Sequence, residues 1–346
     1  MTAAAPRPAP PTSYGADEQG LICGYRFIDG AAGVEIDCAA SLDSLASASG
    51  GNGFVWLHFN LAHAGALSWL HRHSELSEDF YQALREGSRS TRISRDGAAA
   101  LQAVINDVTF DFSFDPEDVA TLWLHLSERL VISARHHPLR SVDRLRAAVK
   151  RGDALPTPVA LLEHLLSDQA DELQHIVRSA SDRIDDIEDE ILARRQASHS
   201  AELARLRRLS VRLQRLLAPE PGALLRVMAN PPGWVGAEDK ERLRRVNEEF
   251  AVVLRDIASL QERIKLLQEE ASAQVAEQNN RSLFILTMVT VMALPINLVA
   301  GLLGMNVGGI PLNEHPHGFW LVLLLILGFT GLLAWLAMRR LAPRRA

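Results

Sequence analysis

The sequence predicts an α/β cytoplasmic domain followed by a long α-helical stalk and two C-terminal transmembrane helices. Three observations carry that prediction. Short apolar, β-rich runs alternate with helical patterns between residues 20 and 152. A regular three-and-four spacing of apolar residues then runs from Leu243 to Ala271. Two stretches near the C-terminus, Leu283 to Leu303 and Gly318 to Met338, contain no ionisable side chain, and each is long enough as a helix to cross about 30 Å of hydrocarbon.

The elements follow in chain order. Residues 1–19 begin Pro- and Ala-rich and lack both the charged and the apolar region of a signal peptide, so a disordered tail is expected. Within 20–152, Leu21–Ile28, Gly33–Cys38, Phe54–Phe59, Ala99–Val108 and Thr121–Ser133 are predicted strands. Leu61–Leu70, Ser77–Leu84 and Leu139–Val149 are predicted helices. No glycine-rich phosphate loop, nucleophile elbow or paired-carboxylate arrangement occurs there, and an enzyme is not expected. His71 with His73, and His136 with His137, are metal-ligand types, although solvated or core histidines give the same pattern. Cys23 and Cys38 have neither a C-x-x-C partner nor a neighbouring His at finger spacing, so no disulfide framework or thiolate zinc site is indicated. The 346 residues carry a net charge of −6 with Arg interleaved among Asp and Glu, which gives a nucleic-acid partner no electrostatic footprint.

A helical hairpin is predicted over 153–236. Thr157 followed by Pro158 signals a helix start, and helical spacing continues to Leu217 with a break near Ser198–Ser200. The first half is acidic (Asp168, Asp171, Glu172, Asp182, Asp185, Asp186, Glu188, Asp189, Glu190) and the second basic (Arg205, Arg207, Arg208, Arg212, Arg215). Such runs serve as solvated faces, as a cation-attracting funnel, or as pairing surfaces between helices of adjacent subunits. Pro219–Gly236 is turn-rich.

The stalk, 237–282, carries Leu243, Val246, Phe250, Val253, Ile257, Leu260, Ile264, Leu267 and Ala271, a heptad seam that predicts packing against parallel copies of the same helix. The first proline after it is Pro295, so one helix of roughly 100 Å, at about 1.5 Å per residue, is expected to continue into the first span at 283–303. The loop 304–317 holds no Lys or Arg, the span 318–338 follows, and the tail 339–346 holds four arginines. The positive-inside bias therefore places both termini in the cytoplasm. Phe319 and Trp320 fall at the outer interface and Trp335 toward the inner one. Along the first span Asn280, Leu283, Thr287, Thr290, Leu294, Asn297 and Gly301 recur by threes and fours, so its polar groups share one stripe. An Asn amide facing lipid loses its hydrogen bonds at a cost of several kcal/mol, so the stripe faces protein or water. Helix–helix packing through Thr and Asn produces the same pattern.

At the outer end of the first span stands Gly304-Met305-Asn306, followed by Val307-Gly308-Gly309-Ile310-Pro311. In this position, after a very long helix and before a second span, the tripeptide resembles the signature of the CorA-type divalent cation transporters. Its continuation resembles the zinc-transporting ZntB branch, whereas the magnesium branch continues with an aromatic residue and an acidic loop; Glu314 lies further along here, beside His315. The resemblance implies a CorA-like homopentameric funnel in a bacterial inner membrane. It implies Asn306 as a polar ring at the outer mouth and a pore lined by Asn297, Leu294, Thr290, Thr287, Leu283 and Asn280. Zn2+ is then the transported ion, with Cd2+, Ni2+ and Co2+ as further cargo, and no cofactor is expected.

A ring of carboxamides offers neutral oxygens that hold a hydrated ion weakly enough to release it. No set of direct metal ligands is identified. Leu294 and Leu283 are expected to gate by dewetting. Import is the expected direction, because an inside-negative potential favours entry of a divalent ion by about 4.6 kcal/mol per 100 mV. Coupling to protons, which the ZntB resemblance implies, finds no ionisable group in either span and would have to use Glu314, His315 and His317 at the mouth, or pore water. A CorA-type Mg2+, Co2+ or Ni2+ channel is the second reading, and a membrane-anchored coiled-coil sensor without conduction the third.

Overall fold

The computed structural model describes residues 15–28, 30–37, 53–74, 76–86, 91–109, 119–193, 199–217, 221–305 and 316–341. The chain divides into two compact units, Met1–Gln268 and Glu269–Ala346.

The first unit is built on a seven-stranded mixed sheet in the order β2-β1-β3-β7-β6-β5-β4. Its strands are β1 (Leu21–Ile28), β2 (Val34–Ile36), β3 (Gly53–Asn60), β4 (Arg92–Asp96), β5 (Ala100–Val108), β6 (Val119–Leu126) and β7 (Leu130–Arg135). β3 and β7 pair in parallel and every other neighbouring pair is antiparallel. Because side chains alternate across a strand, Phe54 and Trp56 join one core while Val55, Leu57 and Phe59 join another on the opposite face. Helices α1 (Ala64–His73) and α2 (Glu78–Glu86) cover the second core. Helices α3 (Arg140–Arg151) and α4 (Pro158–Leu192) cover the first. Covering on both faces explains why β3, β5 and β7 are almost continuously buried.

Two strands differ from expectation. Thr121–Ser133, predicted as one strand, is the hairpin β6–β7, turned at Ser127-Glu128-Arg129 and closed by the Ser127 N–H donating to the Leu130 carbonyl at 2.8 Å. Three polar residues between two apolar runs were enough to reverse the chain. β4 has no counterpart in the prediction because its residues, Arg-Ile-Ser-Arg-Asp, bury only Ile93. This is the charged composition of an edge strand, which protects an open row of backbone groups from pairing with another chain.

Thr157 caps α4 as its spacing predicted, its hydroxyl oxygen accepting from the Ala160 N–H at 3.0 Å. After α5 (Ser200–Leu217), the stretch expected to be turns contains a further helix, α6 (Pro221–Ala229), whose Ala223, Leu224 and Val227 are buried. Proline at its first position suits a helix start, although in the sequence it resembles a breaker. α7 (Ala237–Leu303) is continuous and contains Pro295, and α8 (Gly318–Leu341) follows in the second unit.

The seam of α7 from Leu243 to Leu267 is buried, but by its own chain rather than by copies of itself. Phe250, Val253 and Ile257 share a core with Val177 of α4 and with Leu209 and Leu213 of α5. Three helices packed together demand the same three-and-four spacing as a coiled coil of identical helices, so the pattern alone named the wrong partner. Polar ties reinforce the packing. Arg242 reaches Glu163 at 3.0 Å, the Thr157 hydroxyl donates to Asp239 at 2.7 Å, the Ser167 hydroxyl donates to Glu249 at 2.9 Å, and Arg263 bridges Asp185 and Glu188 at 2.5 and 2.8 Å.

Candidate pore-lining face

Among the described residues α7 is the helix long and apolar enough to cross a membrane, and α8 is apolar over the shorter described stretch Gly318–Leu332. Within the second unit the two faces of α7 differ. Asn280, Leu283, Thr287, Thr290, Leu294, Asn297 and Gly301 are all exposed, whereas Met288, Met292, Pro295 and Val299 are half-buried. At about 100° per residue these two stripes point in directions roughly 150° apart. α8 has a half-buried stripe of its own, Val322, Leu323, Ile326 and Thr330. The polar stripe therefore lies on the side of α7 away from the half-buried stripe, and apolar residues elsewhere around the helix, among them Phe284, Leu286, Val289 and Ile296, are exposed as well. The half-buried stripe also obeys a four-three-four spacing, and that signal was available in the sequence but masked by the uniform hydrophobicity of Met, Pro and Val.

The hydroxyls along the open face have a defined orientation. Thr287 donates to the Leu283 carbonyl at 2.8 Å and Thr290 to the Leu286 carbonyl at 2.9 Å, one turn back. With its hydrogen spent on the backbone, each hydroxyl oxygen is left as an acceptor. The Asn280 and Asn297 amides add further carbonyl oxygens along the same line. Acceptors in a row favour a species that presents hydrogens, such as the water shell of a cation.

The helix ends beside the signature tripeptide: the Gly304 N–H donates to the Ala300 carbonyl at 2.9 Å, and Met305 is exposed. Asn306, Glu314 and His315 lie outside the described residues. His317 is exposed at the start of α8, where its carbonyl accepts from the Leu321 N–H at 3.2 Å.

Elsewhere, no three His, Cys, Asp or Glu side chains among the described residues come together to hold a metal ion. His71 stacks on Tyr81 with ring centroids 3.9 Å apart, and His73 lies against Trp69. His136 meets Trp123 edge-on, and burial, reinforced by His137, lowers its pKa. Cys23 is buried, and burial pushes its thiol up to about 11, which leaves it an inert apolar group. Several carboxylates of the acidic run of α4 have partners within the chain. Glu172 lies between Arg140 and Arg144, Asp168 meets His164 at 3.0 Å, and Glu190 meets His199 at 3.1 Å.

An α/β domain leading through a continuous helix into an apolar segment with one open polar face is the make-up of a membrane transport protein. The chain matches the model of the CorA-like Mg2+ transporter protein family over residues 51–340, and it belongs to that family. It is 34% identical over 332 residues to the divalent cation transporter CmaX of Pseudomonas aeruginosa, covering 94% of this chain and 97% of that protein. It is 25% identical over 282 residues to the zinc transport protein ZntB of Yersinia enterocolitica, covering 81% and 86% of the two. The solved structure of full-length CmaX superimposes with a TM-score of 0.78 at 32% identity over 94% of this chain and 99% of that one. The CorA magnesium transporter of Methanocaldococcus jannaschii shares the fold, with a TM-score of 0.72 at 18% identity over 90% and 96% of the chains.

Proposed function

We propose that the chain imports a divalent cation, Zn2+ foremost, across a bacterial inner membrane through a pore made by five copies of itself. The single observation that carries this reading is the polar stripe of α7 standing open, about 150° from the stripe half-covered within its own chain. A lone helix cannot enclose water, so Asn280, Thr287, Thr290 and Asn297 find it only where copies of that face surround a common axis. Asn306 would close the outer end as a carboxamide ring. Leu283 and Leu294 would supply apolar constrictions, with Glu314, His315 and His317 at the mouth. The spans run over 283–303 and 318–338, with both termini inside.

The preference for Zn2+ rests on the Val307–Pro311 resemblance and on ZntB relatives at 25% identity. Mg2+ is the second reading, favoured by the description of the matching family. Two features suit either ion: acceptor oxygens that touch the hydration shell, and, among the described residues, no cluster of His, Cys, Asp or Glu that would hold the ion in transit.

The test is metal entry into proteoliposomes containing the purified protein, with Zn2+ and Mg2+ in parallel, each with and without an imposed pH gradient. The expected result is Zn2+ uptake accelerated by the gradient and lost or deselected in Asn306→Ala. Uptake of Mg2+ alone, indifferent to pH, establishes the second reading. Uptake of both ions by Asn306→Ala at the normal rate and selectivity overturns the pore assignment.

A further inference from the structure

Among the exposed charges of α4 and α5 are two stripes of opposite sign. On α4, Asp182, Asp186 and Asp189 are exposed, and on α5 Arg208, Arg212 and Arg215 are exposed. Both sets follow the spacing i, i+4, i+7, so each forms a single line along its helix. Among the described residues none of the six makes an ion pair, whereas their neighbours Asp185 and Glu188 are engaged by Arg263.

The stripes also cannot serve each other within one chain. Arg183 of α4 meets Glu202 of α5 at 2.5 Å, which sets the register of this antiparallel hairpin. Ile176, Val177 and Ala180 accordingly share one small interior space with Leu206, Leu209 and Leu213. Arg208–Arg215 therefore lie beside the part of α4 that precedes Arg183, and Asp182–Asp189 lie beside the start of α5. At about 1.5 Å per residue the centres of the stripes are roughly 20 Å apart along the hairpin. That is about twice the distance over which salt at about 0.1 M screens exposed charges.

We propose that the acidic face of α4 docks on the basic face of α5 of a second copy of this chain. A copy displaced along the hairpin brings three carboxylates against three guanidiniums at matching intervals, which neither solvent exposure nor a partner of one charge sign would require. The contact is heterologous, since one copy offers its α4 and the other its α5, and repeated contacts of that kind close into a ring when the rotation closes. The inference does not depend on which ion is carried. Its readout is the association of copies rather than uptake, so it stands or falls separately from the transport reading.

The experiment uses the full chain in detergent and follows the oligomer on dilution by native mass spectrometry. Two triple variants are made, Asp182→Lys/Asp186→Lys/Asp189→Lys and Arg208→Glu/Arg212→Glu/Arg215→Glu, together with the chain carrying all six changes. Each triple variant is expected to dissociate at about tenfold higher protein concentration than the wild type, and the six-fold swap is expected to return to within about threefold of it. A swap no better than either triple variant, or a triple variant that dissociates like the wild type, overturns the proposal. An effect of the arginine changes alone overturns it too and points to an anionic surface as the occupant. The unsubstituted chain supplies a check free of folding effects. Raising salt from 0.1 to 1 M should promote its dissociation, and an oligomer indifferent to salt contradicts the contact.

Discussion

His58 shows how much one buried ring is constrained by its neighbours. Arg135 has no acceptor, so the contact of its Nε with His58 Nε2 at 3.0 Å requires that nitrogen to accept. Nδ1 must then carry the proton and donate to the Ser133 hydroxyl at 2.8 Å. The Trp56 indole N–H donates to the same hydroxyl at 2.8 Å, joining β3 to β7 beneath the helices. A second proton on His58 would face the Arg135 guanidinium in a fully buried site. Burial first, then Arg135 and Arg146, accordingly hold its pKa well below the ordinary value of 6.5. The unfolded chain binds the proton more readily than the folded one, so stability is complete above about pH 6.5 and falls as the pH drops below it. Thermal unfolding of the wild type followed from pH 7.5 to 5 should show this decline, and His58→Asn should be less stable at pH 7.5 yet show a shallower decline. A variant as steep as the wild type would mean that other groups carry the acid sensitivity. His164, whose pKa Asp168 raises, acts in the opposite sense and loses its contribution only as the pH rises above 6.5.

At the scale of elements, α7 does two different jobs along one continuous helix. Up to Leu267 its apolar seam is a core component, and beyond Glu269 the face carrying Asn and Thr is open. Adjacent residues on the first part make the contrast measurable, since Val253 is 4% exposed and Val252 is 40% exposed. Val253→Asp should destabilise the first unit by about 3 kcal/mol or more, because the carboxylate replaces an apolar contact with α4 and α5 and finds no partner. Val252→Asp should stay within about 0.5 kcal/mol. Unfolding midpoints compared in the full chain decide it; equal losses would mean that this part of α7 is packed on both faces. The elements also show what the sequence conveyed. The start of α4 at Thr157-Pro158, the strands β1, β3 and β5, and the polar stripe were all legible because capping chemistry and side-chain period are local. β4 and α6 were not legible, one because an edge strand is written in charged residues and the other because it begins with a proline.

For the whole molecule, the proposed two-span reading makes a testable prediction about topology. With Cys23 and Cys38 replaced by Ser, a single cysteine at Asn313→Cys should react with a membrane-impermeant maleimide in intact cells. A single cysteine at Ala346→Cys should react only after permeabilisation. The reverse labelling would invert the chain, and labelling of both sites in intact cells would reduce the spans to one. This expected orientation rests on Arg339, Arg340, Arg344 and Arg345 against a loop without Lys or Arg.

What the sequence by itself determined is the set of things written in composition and period. These are two long stretches without ionisable groups, a polar stripe on the first of them, the tripeptide Gly304-Met305-Asn306 at its end, and an α/β domain before a long helix. What only the tertiary structure decided is the identity of partners. The seam of α7 is covered by α4 and α5 of its own chain, and the stripe Met288–Val299 is half-covered while Asn280–Gly301 stands open. The acidic and basic stripes of the hairpin lie too far apart to meet. The physical reason is that periodicity records which side of an element must leave water or carry charge. Which surface it meets there depends on chain connectivity and packing, and these exist only once the elements are assembled.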